Sequence, residues 1–397
     1  MGNTPKIRFK GFTDDWEQRK WCDTVDISTE MVDPTSGEYD DMPHIAPGNI
    51  ESFTGRILDN VKSVKEEQLI SGKFRFRPGD VVYGKINPQL GKYFYASVDG
   101  LTSADAYVFN GKNGVTQKFL FSLLQTEDFF KYSVSVSKRS GMPKINRDEL
   151  NAYGFLAPNE EEQEQIGSFF LEIDNLITLH QRKCDETKKL KKYMLQKMFP
   201  QKNEKKPEIR FAGFTDDWEQ RKLEELAEIV GGGTPSTSVN SYWDGDIDWY
   251  APAEIGEQIY LESSQRKITE EGLNKSSAKI LPIGTVLFTS RAGIGKTAIL
   301  LKEGCTNQGF QSIVPNKVKL DSYFIFTRSE ELKRYGETVG AGSTFVEVSG
   351  KQMANMELMM PKTMPEQQQI GEYFANLDHL ITLHRRAYHH KKRRTYK

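Results

Sequence analysis

Residues 11–20 read GFTDDWEQRK, and residues 213–222 read GFTDDWEQRK again. Ten identities in register do not arise by chance. The match extends backwards through Ile7-Arg8-Phe9 and Ile209-Arg210-Phe211, at an offset of 202. A second block repeats later: Gln165-Ile166-Gly167 and the Leu-Ile-Thr-Leu-His run at 176–180 recur at 369–371 and 380–384, an offset of 204. The chain is therefore two copies of one unit of about 200 residues, the size of a domain rather than of a solenoid repeat. Between the repeated blocks, residues 21–157 and 223–364 share little beyond scattered pattern. Near-identical frames around different inserts imply a common task for the frames and different targets for the inserts.

The later frame blocks carry a helical pattern. Pro158 and Glu160, Glu161 and Glu162 form a proline-plus-acid start, which suits the positive end of a helix dipole. Apolar residues follow at Ile166, Phe169/Phe170, Ile173 and Leu176/Ile177, then at Leu190, Met194 and Met198. This three-four spacing predicts one apolar stripe on a helix reaching about Phe199, interrupted by the polar run 183–189. The second copy starts at Pro365-Glu366 and repeats the pattern at Ile370, Tyr373/Phe374, Leu377 and Leu380/Ile381. Two long one-sided helices in one chain are expected to bury their stripes against each other as an antiparallel coiled-coil-like pair. Lys397 matches position 193 of the first copy, so the second helix is expected to be shorter, without a counterpart of residues 194–199. The inserts have the pattern of mixed α/β domains with short strands. Phe76-Arg-Pro-Gly-Asp80 is a turn before the apolar run Val81-Val82-Tyr83, and Leu281-Pro-Ile-Gly284 precedes residues 285–288 in the same way. Gly231-Gly-Gly-Thr-Pro-Ser236 is a loop, and residues 202–207 form the one evident linker.

With 397 residues the chain has room for two or three domains with their own cores. At 37% hydrophobic and 27% charged it has a globular composition, and no run approaches the roughly 20 apolar residues of a membrane span. The opening Met-Gly-Asn-Thr-Pro-Lys lacks the apolar core of a signal peptide, and Lys6 replaces the Ser/Thr of a myristoylation site. Cys22, Cys184 and Cys305 are odd in number and scattered, so a reducing, cytoplasmic setting is expected. The net charge of −1 hides its distribution. Residues 180–206 carry ten Lys/Arg against three acids, and residues 384–397 carry seven Lys/Arg and no acid, a net +7 in each. Runs of this kind, at equivalent points of the two copies, suit phosphate or an acidic protein partner, or simply a solvated helix face.

Several motifs invite a catalytic reading and fail it. Ala292-Gly-Ile-Gly-Lys-Thr297 ends like a phosphate-binding loop, but the glycine needed five residues before Gly295 is Ser290. Asn87-Pro88-Gln89-Leu90 resembles the Asn-Pro-Pro-aromatic motif of adenine methyltransferases, yet lacks the second proline and the aromatic. The six histidines contain no His-Glu-x-x-His pattern, and His180 and His384 are equivalent positions suited to packing. No clustered nuclease carboxylates stand out. The expectation is a protein that binds rather than catalyses. An enzyme acting alone on nucleic acid and a purely structural coiled coil remain as rivals.

The second insert contains Gly232-Gly-Thr-Pro-Ser236, then Tyr242-Trp243-Asp-Gly-Asp-Ile-Asp-Trp249, then Arg291 to Lys296. Together with the Arg-Phe-x-Gly-Phe-x-x-x-Trp opening of each copy and the Glu-Gln-x-x-Ile-Gly-x-x-Phe helix start, it resembles the specificity subunits of type I restriction-modification systems. The first insert resembles a different recognition-domain type, with Met42-Pro-His-Ile-Ala-Pro-Gly-Asn-Ile50 and Gly79-Asp80-Val81-Val82. The resemblance spans essentially the whole chain. It implies two mixed α/β (α+β) recognition domains, residues 1–157 and 207–364, each reading half of a bipartite double-stranded DNA site. Helical regions 158–206 and 365–397 would fix the gap. It also implies two methyltransferase subunits and two motor-nuclease subunits as partners, with S-adenosylmethionine, ATP and Mg held by those partners and no cofactor in this chain. Direct readout needs planar donors and acceptors at base edges, and cations at phosphates. At equivalent loops the two copies offer Lys85, Asn87, Gln89 and Lys92, and Ser290, Arg291 and Lys296 followed by Asn307, Gln308 and Gln311.

Overall fold

The repeated block at the head of each copy folds into the same piece of structure twice. Glu17–Lys20 pairs antiparallel with Gly154–Ala157, and Glu219–Lys222 pairs antiparallel with Glu357–Met360. Each pair closes its insert at the two ends, so the frame is a clasp. The arginine of each Ile-Arg-Phe opening locks it: Arg8 forks onto Glu162 at 2.8 and 2.6 Å, and Arg210 onto Glu366 at 2.7 and 2.9 Å. Both glutamates are buried in the first turn of a long helix, where a two-pronged guanidinium satisfies a carboxylate that burial would otherwise penalise. In this computed structural model the described residues are 5–138, 141–291, 293–341 and 347–395; Ala292 of the phosphate-loop-like stretch and Lys397 lie outside them.

The chain divides into two compact units, residues 1–182 with 384–397, and residues 183–383. The first unit contains an antiparallel sheet in the order Val25–Ile27, Ala106–Gly111, Val81–Gly84, Tyr93–Tyr95. The second contains Ala227–Gly231, Gln311–Pro315, Val286–Phe288, Thr297–Leu300 in the same relative order, with Tyr260–Leu261 added at the edge. Sequences that hardly match therefore build one topology. The apolar strand runs bury both faces, as a sheet covered on each side requires. Val81 and Tyr83 join one core while Val82 joins another; Val286 and Phe288 likewise part from Leu287. A further sheet, differing between the units, sits beyond this shared one. It has five strands in the first unit, with Lys73–Phe76 and Gly100–Thr102 at its centre, and three in the second, centred on Trp243–Tyr250.

The predicted helices are present, spanning Glu160–Lys197 and Met364–Thr395. At about 1.5 Å per residue the first is some 57 Å long. Asn159 caps it, its side-chain oxygen accepting the Glu162 N–H at 2.9 Å. The glycine of each repeated Gln-Ile-Gly lets the helix approach its insert. A Cβ on Gly167 would stand 2.5 Å from the main chain of Lys118, and one on Gly371 2.7 Å from Asp321. The helices run antiparallel. In the first unit His180 meets its equivalent His384, Nδ1 to Nδ1, at 3.1 Å. In the second, Cys184 donates to the Ile381 carbonyl at 3.8 Å and Lys191 grips Asp378 at 2.6 and 2.7 Å.

The single stripe expected on the first helix is instead two rows. Ile177, Cys184 and Met198 are buried, whereas Phe169, Leu176 and Leu190 are exposed. Both rows keep seven-residue spacing, so sequence periodicity could not tell which faced a partner helix. The helix runs unbroken through 183–189 as expected, but the stripe is not interrupted there, because Cys184 is buried and carries the seam.

Candidate nucleic-acid interface

In the first unit the turn after Val81–Gly84 is tight. Asn87 and Gly91 both adopt positive φ, at 50° and 55°, around the short helix Pro88–Leu90. A loop from far along the chain docks on it. Asn87 N–H donates to Pro143 O at 2.8 Å, Ile86 bridges Lys144, and Ile145 N–H donates to Lys85 O at 3.0 Å. This docking collects cations. Lys85 Nζ lies 4.9 Å from the centre of the Tyr107 ring, with the Arg147 guanidinium at 6.0 Å from the same ring. Burial pulls the Lys85 ammonium below its ordinary value; Asp105 opposes this, and the like charges of Lys144 and Arg147 add to it. Lys144 and Arg147 both repel the Lys85 ammonium, and an anion placed among the three would relieve that repulsion.

Of the four residues singled out here, Lys85 belongs to this cluster, and Asn87 and Gln89 lie on the turn against which its other members dock. Gln89 is exposed, and its amide donates to Asn87 Oδ1 at 3.3 Å. Lys92 turns inward and donates to the Ile50 carbonyl, tying the turn to the segment that carries Met42–Ile50. Lys144 and Arg147 were not singled out from the sequence, because only the fold brings residues 143–147 to the turn. The local signal, a Pro-Lys pair before a capped helix Arg147–Asn151, is a common one.

The second unit repeats the docking at the equivalent bond: Val348 N–H donates to Ser290 O at 2.9 Å. Ser290 itself is fully buried, and its Oγ has no partner among the described residues. Arg291 is half-exposed and only loosely paired, 3.9 Å from Glu347. Lys296 is exposed at the far side of the turn. The phosphate-loop-like glycines serve packing. A Cβ on Gly295, at φ 94°, would reach 2.8 Å from Lys333 Cα, so the turn lies directly on the helix Ser329–Gly340. The Thr297 hydroxyl is engaged by Ser329 at 2.8 Å.

A second strand-end loop joins Arg291. Ser290 N–H donates to Gly309 O at 2.8 Å, and Asn307 Oδ1 turns the chain by accepting Gly309 N–H at 2.7 Å. Gln308 is exposed and accepts from Thr234 of the glycine-rich loop, which Gly233 N–H anchors to Thr306 O at 2.8 Å. The two tryptophans of the acidic segment hold that loop from behind. Trp249 Nε1 donates to Gly233 O at 2.8 Å and Trp243 Nε1 to Ser236 O at 3.1 Å, while Arg266 lies over Trp243 at 3.7 Å. Asp248 is spent on Ser264, whose N–H and hydroxyl reach it at 2.9 and 3.0 Å. Gln311 pairs with Gly231 in the sheet, with its amide lying along that backbone. Arg291, Asn307 and Gln308 thus share one surface with Thr234, which sequence reasoning missed. Lys296 stands on the turn's other flank.

Among the described residues no group of three or more His, Cys, Asp or Glu is placed to hold a metal ion, and no helix is long and apolar enough to cross a membrane. Cys22, Cys184 and Cys305 are free thiols.

Comparison with known proteins agrees with this duplication. The family profile described as type I restriction modification DNA specificity domain matches residues 13–189 and again 215–389. The chain is 37% identical over 168 residues to the type I restriction enzyme MjaIX specificity subunit of Methanocaldococcus jannaschii, covering 42% of this chain and 39% of that one. It is 20% identical over 361 residues to the HindI specificity subunit of Haemophilus influenzae, covering 72% and 76% respectively. Among solved structures, the S subunit of a type I restriction-modification system from M. genitalium superposes with a TM-score of 0.67 at 12% identity, over 99% of this chain and 96% of that one. At that identity the likeness is one of fold.

Proposed function

The chain belongs to the type I restriction modification DNA specificity domain family, as a specificity subunit with two recognition domains, and from that membership we propose how it works. Residues 1–157 and 207–364 each read one half of a bipartite double-stranded DNA site. The helical regions 158–206 and 365–397 set the distance between the half-sites and dock two methyltransferase subunits. Two motor-nuclease subunits join for cleavage. The chain itself performs no chemistry: S-adenosylmethionine, ATP and Mg act in the partners, and the complex works in the cytoplasm.

One observation carries this reading. Two inserts of unlike sequence keep the same sheet order and the same turn-to-loop hydrogen bond, yet arm the turn differently. A shared scaffold with different tips suits two different half-sites. In the first tip Lys85, Lys144 and Arg147 hold phosphate, while Asn87 and Gln89 approach base edges. In the second, Arg291, Asn307 and Gln308 approach bases and Lys296 holds phosphate, with Lys92, Ser290 and Gln311 shaping their loops. Docking of the methyltransferase is supported by exposed leucines that no fold requirement explains: Leu176 and Leu179 on the first helix, and their equivalents Leu380 and Leu383 on the second. The test exchanges residues 223–364 for another family member's insert and maps methylated sites in cells that also express the methyltransferase. One half-site changes and the other stays. If both change together, the one-domain, one-half-site reading is wrong.

A further inference from the structure

The stretch Asn87-Pro88-Gln89-Leu90, which falls short of a methyltransferase motif, forms the tip of the first unit's turn, and Leu90 stands 44% exposed at its end. The turn fixes it there. Pro88 is buried, Gly91 N–H closes on Pro88 O at 3.0 Å, and Phe53 N–H donates to Gly91 O at 2.8 Å. The shared scaffold does not demand this exposure. In the second unit the equivalent residue, Ile294 of Ile294-Gly295-Lys296, is 8% exposed and lies in the core against Gly336 and Gly340. A second apolar side chain stands out on the segment docked against the turn. Met142, 67% exposed, immediately precedes Pro143, whose carbonyl accepts the Asn87 N–H at 2.8 Å.

Polar groups accompany the two apolar ones. The Gln89 amide donates to Asn87 Oδ1 at 3.3 Å, which leaves the pair the Asn87 amide as donor and Gln89 Oε1 as acceptor. A donor beside an acceptor complements the major-groove edge of adenine, whose N7 accepts and whose N6 donates. Thymine, the partner of adenine, shows there an O4 acceptor and the C5-methyl group, the apolar feature of the groove. Lys144, next to Pro143, and Lys85 supply the charge that draws a phosphate backbone to the same turn.

We propose that the first domain reads thymine through its methyl group: Leu90 and Met142 cover the C5-methyl of an A·T pair whose adenine edge meets Asn87 and Gln89. The two apolar side chains are specificity residues. They discriminate by removing one methyl group from water, which no other natural base pair offers at that position. This role rests on the reading in which residues 1–157 meet DNA through the turn.

The test uses the full chain and duplexes carrying its mapped methylation site. The first half-site is the one that survives exchange of residues 223–364, and its thymines are replaced singly by deoxyuridine. That replacement removes the methyl group and leaves every hydrogen-bonding group in place. Fluorescence anisotropy should find a thymine at which deoxyuridine weakens binding about fourfold, the worth of burying a single methyl group. Leu90→Ser and Met142→Ser should each weaken binding to the thymine duplex and shrink the difference between thymine and uracil at that position. The deoxyuridine series on the unaltered chain decides the matter even if a variant fails to fold. A first half-site without thymine on either strand, or one insensitive to deoxyuridine throughout, overturns the proposal. So does an equal loss on thymine and uracil duplexes from both serine variants, which assigns the side chains to wedging between base steps. An unchanged salt dependence in Lys144→Gln removes the turn from the DNA and takes the parent reading with it. The expected salt dependence together with insensitivity to deoxyuridine refutes the methyl contact alone.

Discussion

Replacing Lys144 by glutamine separates phosphate attraction from base reading in the first domain. Lys144 is exposed, and its link to the turn is through its backbone bridge to Ile86, so the substitution removes a charge without removing the docking bond. Lys85 is a poorer choice because its stem is half-buried against Tyr107. Each phosphate neutralised steepens the fall of log affinity with log salt by about 0.9. If Lys144, Lys85 and Arg147 each hold one phosphate, the cluster contributes a slope of about 2.7 and loses about 40-fold in affinity between 50 and 200 mM salt. Lys144→Gln should make the slope shallower by about 0.9. Its binding defect should then shrink about 3.5-fold, or about 0.7 kcal/mol, over the same salt range. Fluorescence anisotropy of the full chain on cognate and scrambled duplexes, at several salt concentrations, measures this directly. The loss should be equal on both duplexes, because a phosphate contact carries no sequence information. An unchanged slope refutes the placement of the phosphate backbone at this cluster. A loss confined to the cognate duplex would make Lys144 a base reader instead.

Three other outcomes are expected. Arg291→Ala should cost about 1–3 kcal/mol and relax one position of the second half-site if the guanidinium forks onto a base; unchanged affinity and unchanged methylation specificity would return it to an ordinary surface charge. Four residues inserted after Asp185 lengthen the first helix by about 6 Å while nearly preserving its face, so methylated sites should show a spacer one or two base pairs longer with both half-sites intact. Retention of the original spacing would show that the helix does not set it. Asp174→Asn should stabilise the first unit above pH 6. Burial raises that carboxyl to about 6, only partly offset by Gln125. The native state therefore holds the proton more tightly than the unfolded chain, and this contribution to stability is complete below about pH 4 and lost as pH rises through 6. The half-exposed site reduces the effect to about 1–2 kcal/mol. Chemical denaturation of the two proteins should coincide at pH 4 and separate by pH 7, and parallel curves throughout would remove Asp174 as the cause.

The sequence by itself determined the duplication and the helices, whereas the clasp pairs Glu17–Lys20 with Gly154–Ala157 across a separation only the fold closes. The duplication and the helices rest on near neighbours: ten identical residues specify the same local chain twice, and apolar residues at three-four spacing make a helix wherever they occur. Strand runs such as Val81-Val82-Tyr83 were legible for the same reason, being continuous apolar stretches behind a Pro-Gly turn. Tertiary structure decided which face of a long helix is covered, since the rows through Ile177 and Leu176 have the same period and only packing buries one of them. It decided what a turn residue does, sending Lys92 to a carbonyl and Ser290 into the core while leaving Gln89 and Arg291 at the surface. It also brought Lys144 and Arg147 to the turn, and Thr234 to Gln308, across separations that no local pattern spans. Hydrophobic periodicity is a property of neighbours along a chain, whereas a recognition surface is made of residues that the fold alone makes neighbours.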